Sequence, residues 1–232
     1  MAKTYEAMQK TGREPSTGWH FFDLKNRKQT GDLEKRILQF QQKSSYKIFN
    51  FCSARGKEGV STILVNLVHY IKTQNSDKKI LVVDANFQSP MLHNIFNAGN
   101  NPGLSEILSN EQNHDEYFFT LELTNITILT CGQMYRNQAG NFNQDRFANL
   151  LKASKEHYDY ILIDSAPMLT SSDALSVAVS SDVTFLIIQS TAVQKEVALK
   201  VKRVLDDNEC IIGGVLLNRI RQVIPEWLYK LT

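Results

Sequence analysis

The sequence is short of several things, and each shortage closes off a class of protein. Only three cysteines occur in 232 residues, Cys52, Cys131 and Cys210. They lie far apart, each in or beside an apolar run. That excludes a disulfide scaffold and reads as reduced core thiols in a reducing compartment. The five histidines show no metal-ligand spacing. No apolar run approaches the roughly 20 residues of a membrane-spanning helix, and residues 1–20 hold no signal-peptide core. Net charge is only +2, too little to imply nucleic acid as a partner. The charge is uneven, because residues 1–45 carry nine Lys/Arg against five Asp/Glu. The lead-in is therefore weakly basic and the body slightly acidic. There is no internal repeat and no low-complexity tract.

What is present is an ordinary globular composition, 42% hydrophobic and 22% charged, enough for one α/β domain with a short extension. Residues 1–45 read as a helical and linker extension, 46–222 as the domain, and 223–232 as a short amphipathic tail. Within the extension, residues 2–12 suit a helix, 12–30 an extended linker broken by Gly12, Pro15 and Gly18, and Asp32–Lys43 a second helix. Runs such as KILVVDA (79–85), ITILTC (126–131), 160–163, 183–188 and 211–217 predict strands. Near-continuous apolar strands are buried on both faces, which means a parallel sheet covered by helices. The intervening stretches 61–71, 144–157, 173–180 and 194–205 read as helices, with Ser172 as an N-cap, and 91–96 and 103–109 as short ones. Residues 111–122 give no clear pattern. Strands alternating with helices predict a doubly wound, mainly parallel α/β fold with helices on both faces. In the tail, Ile224, Trp227, Leu228 and Leu231 have helical spacing, with Pro225 suited to a first turn.

The most informative stretch is KIFNFCSARGKEGVSTILVNLVHY, residues 47–70. A short apolar strand interrupted by Asn50 runs into a small glycine-bearing loop, Ser53–Gly59, and then into a helix opened by Ser61 and Thr62. Strand, glycine loop and helix is the geometry that points backbone N–H groups and a helix dipole at phosphates. Against G-x-x-x-x-G-K-[ST] the match is partial. Gly59 and Ser61 sit where the second glycine and the hydroxyl belong, Ala54 replaces the first glycine, and Val60 replaces the lysine. Two later strands end in aspartate, Asp84 and Asp164. Either alone reads as a strand-end residue capping a loop. Both together, downstream of a glycine loop, favour a nucleotide crevice at the carboxyl ends of the strands.

Five ordered motifs, SARGKEGVST, ILVVDANFQSPMLHNIF, GLSEIL, YDYILIDSAPMLTSSDA and GGVLLNR, resemble the bacterial tyrosine kinases of capsule and exopolysaccharide synthesis, which belong with the MinD/ParA-type P-loop proteins. The resemblance implies ATP or ADP with Mg²⁺. It implies nucleotide contacts from Arg55, Gly56, Lys57, Glu58, Gly59, Val60, Ser61 and Thr62, with Asn218 and Arg219 near the base. Ser61, Asp84 and Asp164 would serve the metal, and Asp84 and Asp164 the chemistry. The implied partner is a membrane-spanning polysaccharide co-polymerase, or chain-length regulator, which would place the protein in the cytoplasm, at the inner face of the cytoplasmic membrane. Homo-oligomerisation stays open, and no nucleic acid is implied.

The departures carry equal weight. Val60 stands at the catalytic lysine, Lys57 at a loop glycine, Asn86 at a second aspartate and Gln88 at an arginine. After Tyr160 only Tyr229 remains of a tyrosine-rich tail, and the E-x-x-R-x-x-R assembly pattern is not found near Asp32–Phe40. The expectation is a regulatory, kinase-like protein with weak or no turnover. The rival is an active autokinase or ATPase using Lys57 or Arg55, a slot where MinD-like proteins keep a second lysine. A ParA-like partitioning ATPase fits less well, since it would want a basic surface for DNA.

Overall fold

The computed structural model describes residues 27–99, 102–109, 115–133, 142–189 and 195–218. In chain order the described elements are α1 (Arg27–Ser44), β1 (Ile48–Ser53), α2 (Val60–Gln74), β2 (Ile80–Ala85), α3 (Leu92–Ile95), α4 (Leu104–Ser109), a 3₁₀ turn (Asp115–Tyr117), β3 (Phe118–Thr120), β4 (Ile126–Leu129), α5 (Gln144–Ser154), β5 (Tyr160–Ser165), α6 (Asp173–Val179), β6 (Val183–Gln189), α7 (Lys195–Asp207) and β7 (Ile212–Asn218).

Among the described residues the strands form one sheet in the order β3-β4-β2-β5-β1-β6-β7. Every pair is parallel except β3–β4. The three central strands β1, β2 and β5 are buried along their whole length, which is why they read as apolar runs. Alternation sorts their side chains into two layers. Phe49, Phe51, Val82 and Leu162 face a layer with Leu64, Leu67 and Ile71 of α2. Leu81, Ile161 and Ile163 face Phe147 and Leu151 of α5, and Leu186 faces Val201 and Leu205 of α7. Asn50, the polar break in β1, is fully buried and donates from Nδ2 to Thr184 Oγ1 at 3.3 Å. All three cysteines are free thiols.

Several boundaries differ from the sequence reading. Helix α1 begins at Arg27, so residues 27–30 are helical and not linker. Gly31 is a contact point there: a Cβ on it would lie 2.9 Å from the Tyr70 hydroxyl. Leu33 and Ile37 of α1 enter the same core as α2, and Arg36 Nε donates to the Gly213 carbonyl of β7 at 3.1 Å. Residues 118–120 form an antiparallel edge strand where the sequence showed no pattern. Helix α5 ends at Ser154, three residues early. Ser172 takes the N-cap position of α6, but its hydroxyl bonds Asp173 Oδ1 and no side-chain cap forms. The expected helix at 2–12, the tail at 223–232 and Arg219 lie outside the described residues.

The chain leaves β1 by way of α2 on one face, then returns through β5, β6 and β7 with α5, α6 and α7 on the other. The strand order thus reverses around β1 and β5, and a crevice opens at their carboxyl ends, where such sheets bind ligands.

Candidate functional site

The loop Ser53–Gly59 sits at that reversal. Two of its residues hold left-handed backbone, Lys57 at φ 67° and Gly59 at φ 93°. Glycine is required twice over at 59, because a side chain there would also collide with the Asn218 amide. That amide approaches to donate from Nδ2 to the Glu58 carbonyl at 2.8 Å. Gly59 is the N-cap of α2, no side chain caps the helix, and its first turn holds no acidic residue. The first intrahelical bond runs from Ile63 N–H to Gly59 C=O. The N–H groups of Val60, Ser61 and Thr62 therefore have no intrahelical acceptor, and the helix dipole adds to their pull on an anion.

Val60, at the position of the missing lysine, is only 7% exposed and belongs to the core beside Leu64 and Phe51. Arg55, Gly56 and Lys57 are exposed, Gly59, Ser61 and Thr62 half-buried, and Glu58 is buried.

The two strand-end aspartates are register partners on adjacent strands, Asp84 of β2 opposite Asp164 of β5. Both are fully buried, yet they are used differently. Asp84 Oδ2 accepts the N–H groups of Met91 (3.0 Å) and Leu92 (2.9 Å), and its Oδ1 accepts that of Asn86 at 3.2 Å. It therefore pins the loop after β2 to the start of α3. Burial pushes its carboxyl up to about 6, against the pull of those three N–H groups. Neither carboxylate oxygen of Asp164 has a hydrogen bond of ordinary geometry, although the Ser61 hydroxyl lies close enough to act on the carboxyl. Burial first, and the Asp84 charge second, raise its pKa well above the ordinary range, and the Ser61 hydroxyl pulls the other way. Two unpartnered oxygens on a buried carboxyl next to a hydroxyl suit a cation or an ordered water far better than they suit an empty crevice.

The fold thus brings Ser61, Asp84, Asp164 and the glycine loop to one place, with Asn218 against the loop. Asn86 does not join them: its Oδ1 accepts the Ser89 N–H at 3.2 Å, within its own loop. Sequence reasoning missed a clasp over the crevice. Gln88 Nε2 donates to the Thr170 carbonyl at 2.6 Å, and Thr170 Oγ1 donates back to Gln88 Oε1 at 3.3 Å. These residues sit on the loops after β2 and β5, and nothing in their types or spacing announces the contact. Among the described residues, no three His, Cys, Asp or Glu side chains group as a metal site.

A protein family described as an AAA domain matches residues 46–205. The tyrosine-protein kinase Etk of Escherichia coli K12 is 30% identical over 177 residues, which span 75% of this chain but 23% of Etk. The tyrosine-protein kinase YwqD of Bacillus subtilis is 27% identical over 178 residues, 77% of this chain and 73% of that protein. The solved kinase domain of E. coli Etk superimposes with a TM-score of 0.79 at 22% identity, covering 95% of this chain and 90% of that one. The septum site-determining protein MinD of Pyrococcus horikoshii, solved with Mg-ADP, gives 0.61 at 21% identity, covering 79% and 76%. At these identities the structural matches speak to the fold, and the fold is that of the MinD/ParA-type P-loop proteins.

Proposed function

Since the chain belongs to the AAA-domain family across residues 46–205, we propose that it is a regulatory, kinase-like P-loop component of a bacterial exopolysaccharide or capsule assembly system. In this reading it binds ATP or ADP weakly, turns over little or none, and docks on a membrane-spanning polysaccharide co-polymerase at the inner face of the cytoplasmic membrane.

The observation that carries the reading is Val60. The cradle around it is kept: Gly59 holds its left-handed turn and the start of α2 is uncapped. The side chain that should meet the phosphates instead packs in the core. Each missing charge-assisted hydrogen bond is worth about 1.5–3 kcal/mol, or roughly ten- to a hundredfold in affinity. Backbone N–H groups at 60–62 would still hold a diphosphate. Turnover depends more heavily on neutralising charge as the terminal phosphoryl group leaves. Ser61 and the unpartnered oxygens of Asp164 would hold Mg²⁺, which, when bound, offsets the negative charge of the phosphates. Asp84 has both oxygens engaged by backbone N–H groups, so its part is to shape the crevice.

The rival, an active autokinase or ATPase, draws on one observation: Lys57 and Arg55 are exposed cations on the loop itself. The deciding experiment is calorimetric titration with ADP and ATP, with and without Mg²⁺, together with steady-state ATPase assays of wild type, Val60→Lys, Lys57→Ala and Asp164→Ala. The regulatory reading expects weak binding and negligible turnover in wild type. It expects binding about tenfold tighter in Val60→Lys, without normal turnover. Clear wild-type turnover that vanishes in both Lys57→Ala and Asp164→Ala would instead make Lys57 the working cation. No helix among the described residues is long and apolar enough to cross a membrane. Docking on the co-polymerase predicts that membrane association is lost on fractionating cells that lack it; association that persists there counts against docking.

A further inference from the structure

Glu58 is the buried charged residue of the loop. It is 2% exposed, whereas Arg55 and Lys57 face solvent. Its Oε1 accepts the Arg55 N–H at 2.9 Å, and its Oε2 is buried without a hydrogen-bond partner. The backbone N–H groups of Gln189 and Ala54 also act on the carboxyl, and Gln189 is the last residue of β6. The Glu58 carbonyl accepts the Asn218 amide from the end of β7. One residue thus ties the loop to the ends of β1, β6 and β7.

We propose that Glu58 is a positioning residue which, from beneath the loop, holds Ala54–Gly59 in the shape that presents the N–H groups of Val60, Ser61 and Thr62 to the phosphates of a nucleotide. The proposal rests on reading the loop as a phosphate cradle. The need for such a tie arises next door. Lys57 holds φ 67° without being glycine, and a backbone of that kind persists only where its surroundings over-determine it. The charged and titratable groups that act with Glu58 are Arg55, which attracts the carboxylate, and the Cys52 thiol behind it. Burial raises the Glu58 pKa against those attractions. Either protonation state has an oxygen for the Arg55 N–H, so glutamine keeps the tie and removes only the charge.

The test compares wild type, Glu58→Gln, Glu58→Leu and Glu58→Asp, each alone and combined with Val60→Lys. Amide hydrogen exchange at Arg55 and calorimetric titration with ADP are read side by side, with thermal unfolding as the check on folding. Glu58→Gln should keep the Arg55 amide protected and bind ADP as tightly as wild type or more so. Glu58→Leu should lose the protection and bind about tenfold more weakly, the cost of a lost buried hydrogen bond passed on to the cradle. Should the leucine variant fail to fold, Glu58→Asp, one methylene too short, serves in its place with the same expectation. Affinity unaltered in the leucine and aspartate variants, or lowered as much by glutamine, overturns the positioning role alone. No ADP binding in any variant, Val60→Lys included, overturns the phosphate-cradle reading and this role with it.

Discussion

Lys57 holds a backbone conformation that glycine reaches freely. Left-handed backbone costs a non-glycine residue about 1 kcal/mol or more, offset in part by the flexibility glycine brings to the unfolded chain. Lys57→Gly should therefore raise stability by about 0.5–1 kcal/mol, read as a higher urea midpoint; a lower midpoint would mean the lysine side chain contributes more than its backbone costs. The two aspartates should answer substitution with opposite signs. Asp84→Asn takes a carboxylate away from three backbone donors and should destabilise by about 1–3 kcal/mol. Asp164→Asn replaces a buried carboxyl that burial and the facing Asp84 carboxylate disfavour as an anion. It should stabilise the nucleotide-free protein by about 1 kcal/mol or more while weakening Mg²⁺-dependent nucleotide binding. Denaturation at pH 7 with and without Mg-ADP checks both.

Strand β7 allows a test within one element. A Cβ on Gly213 would lie 2.6 Å from the Phe185 ring and Val183 Cγ1, whereas one on Gly214 meets Phe185 at an ordinary 3.9 Å. The register slips between Thr184 and Phe185 at this point, and Gly213 is the residue that fits the slip. Gly213→Ala should cost about 1–3 kcal/mol and Gly214→Ala little, measured by thermal unfolding; equal effects would mean the core gives way around Phe185. The same packing explains which elements could be read from sequence. Strands β1, β2 and β5 were legible because burial on both faces writes itself as an apolar run. Strand β3 was not: it is three residues long and half-buried, and its pairing with β4 supplies the structure that its own pattern lacks. The start of α1 was misplaced because residues 27–30 were read with the linker that Gly12, Pro15 and Gly18 break, whereas Gly31 sits within the helix and makes room for Tyr70. At the site, the convergence of Ser61, Asp84 and Asp164 at the strand ends was legible from their places in the sequence. The engagement of Asp84 was not, because its donors Met91 and Leu92 act through backbone and their side chains carry no trace of it. The burial of Glu58 was hidden in the same way.

For the whole molecule, the buried carboxyl pair makes stability depend on pH. An unfolded aspartate ionises near 3.9, but Asp84 is pushed to about 6 and Asp164 is raised well above the ordinary carboxyl range. Between those values the folded protein binds more protons than the unfolded chain, so this contribution is present at low pH and lost as pH rises. Urea midpoints of the nucleotide-free protein should fall from pH 4 to pH 7, and the fall should flatten in Asp164→Asn; a rising profile in wild type would show that other carboxyls dominate. The bond from Arg36 to the Gly213 carbonyl has a consequence for synthesis. Its partners are 177 residues apart. On a ribosome adding about 5–20 residues per second, Arg36 waits roughly 10–35 s for Gly213 to be made. Through that interval α1 has α2 to lie against, but its far side stays unfinished, so an element made early is among the last to be secured.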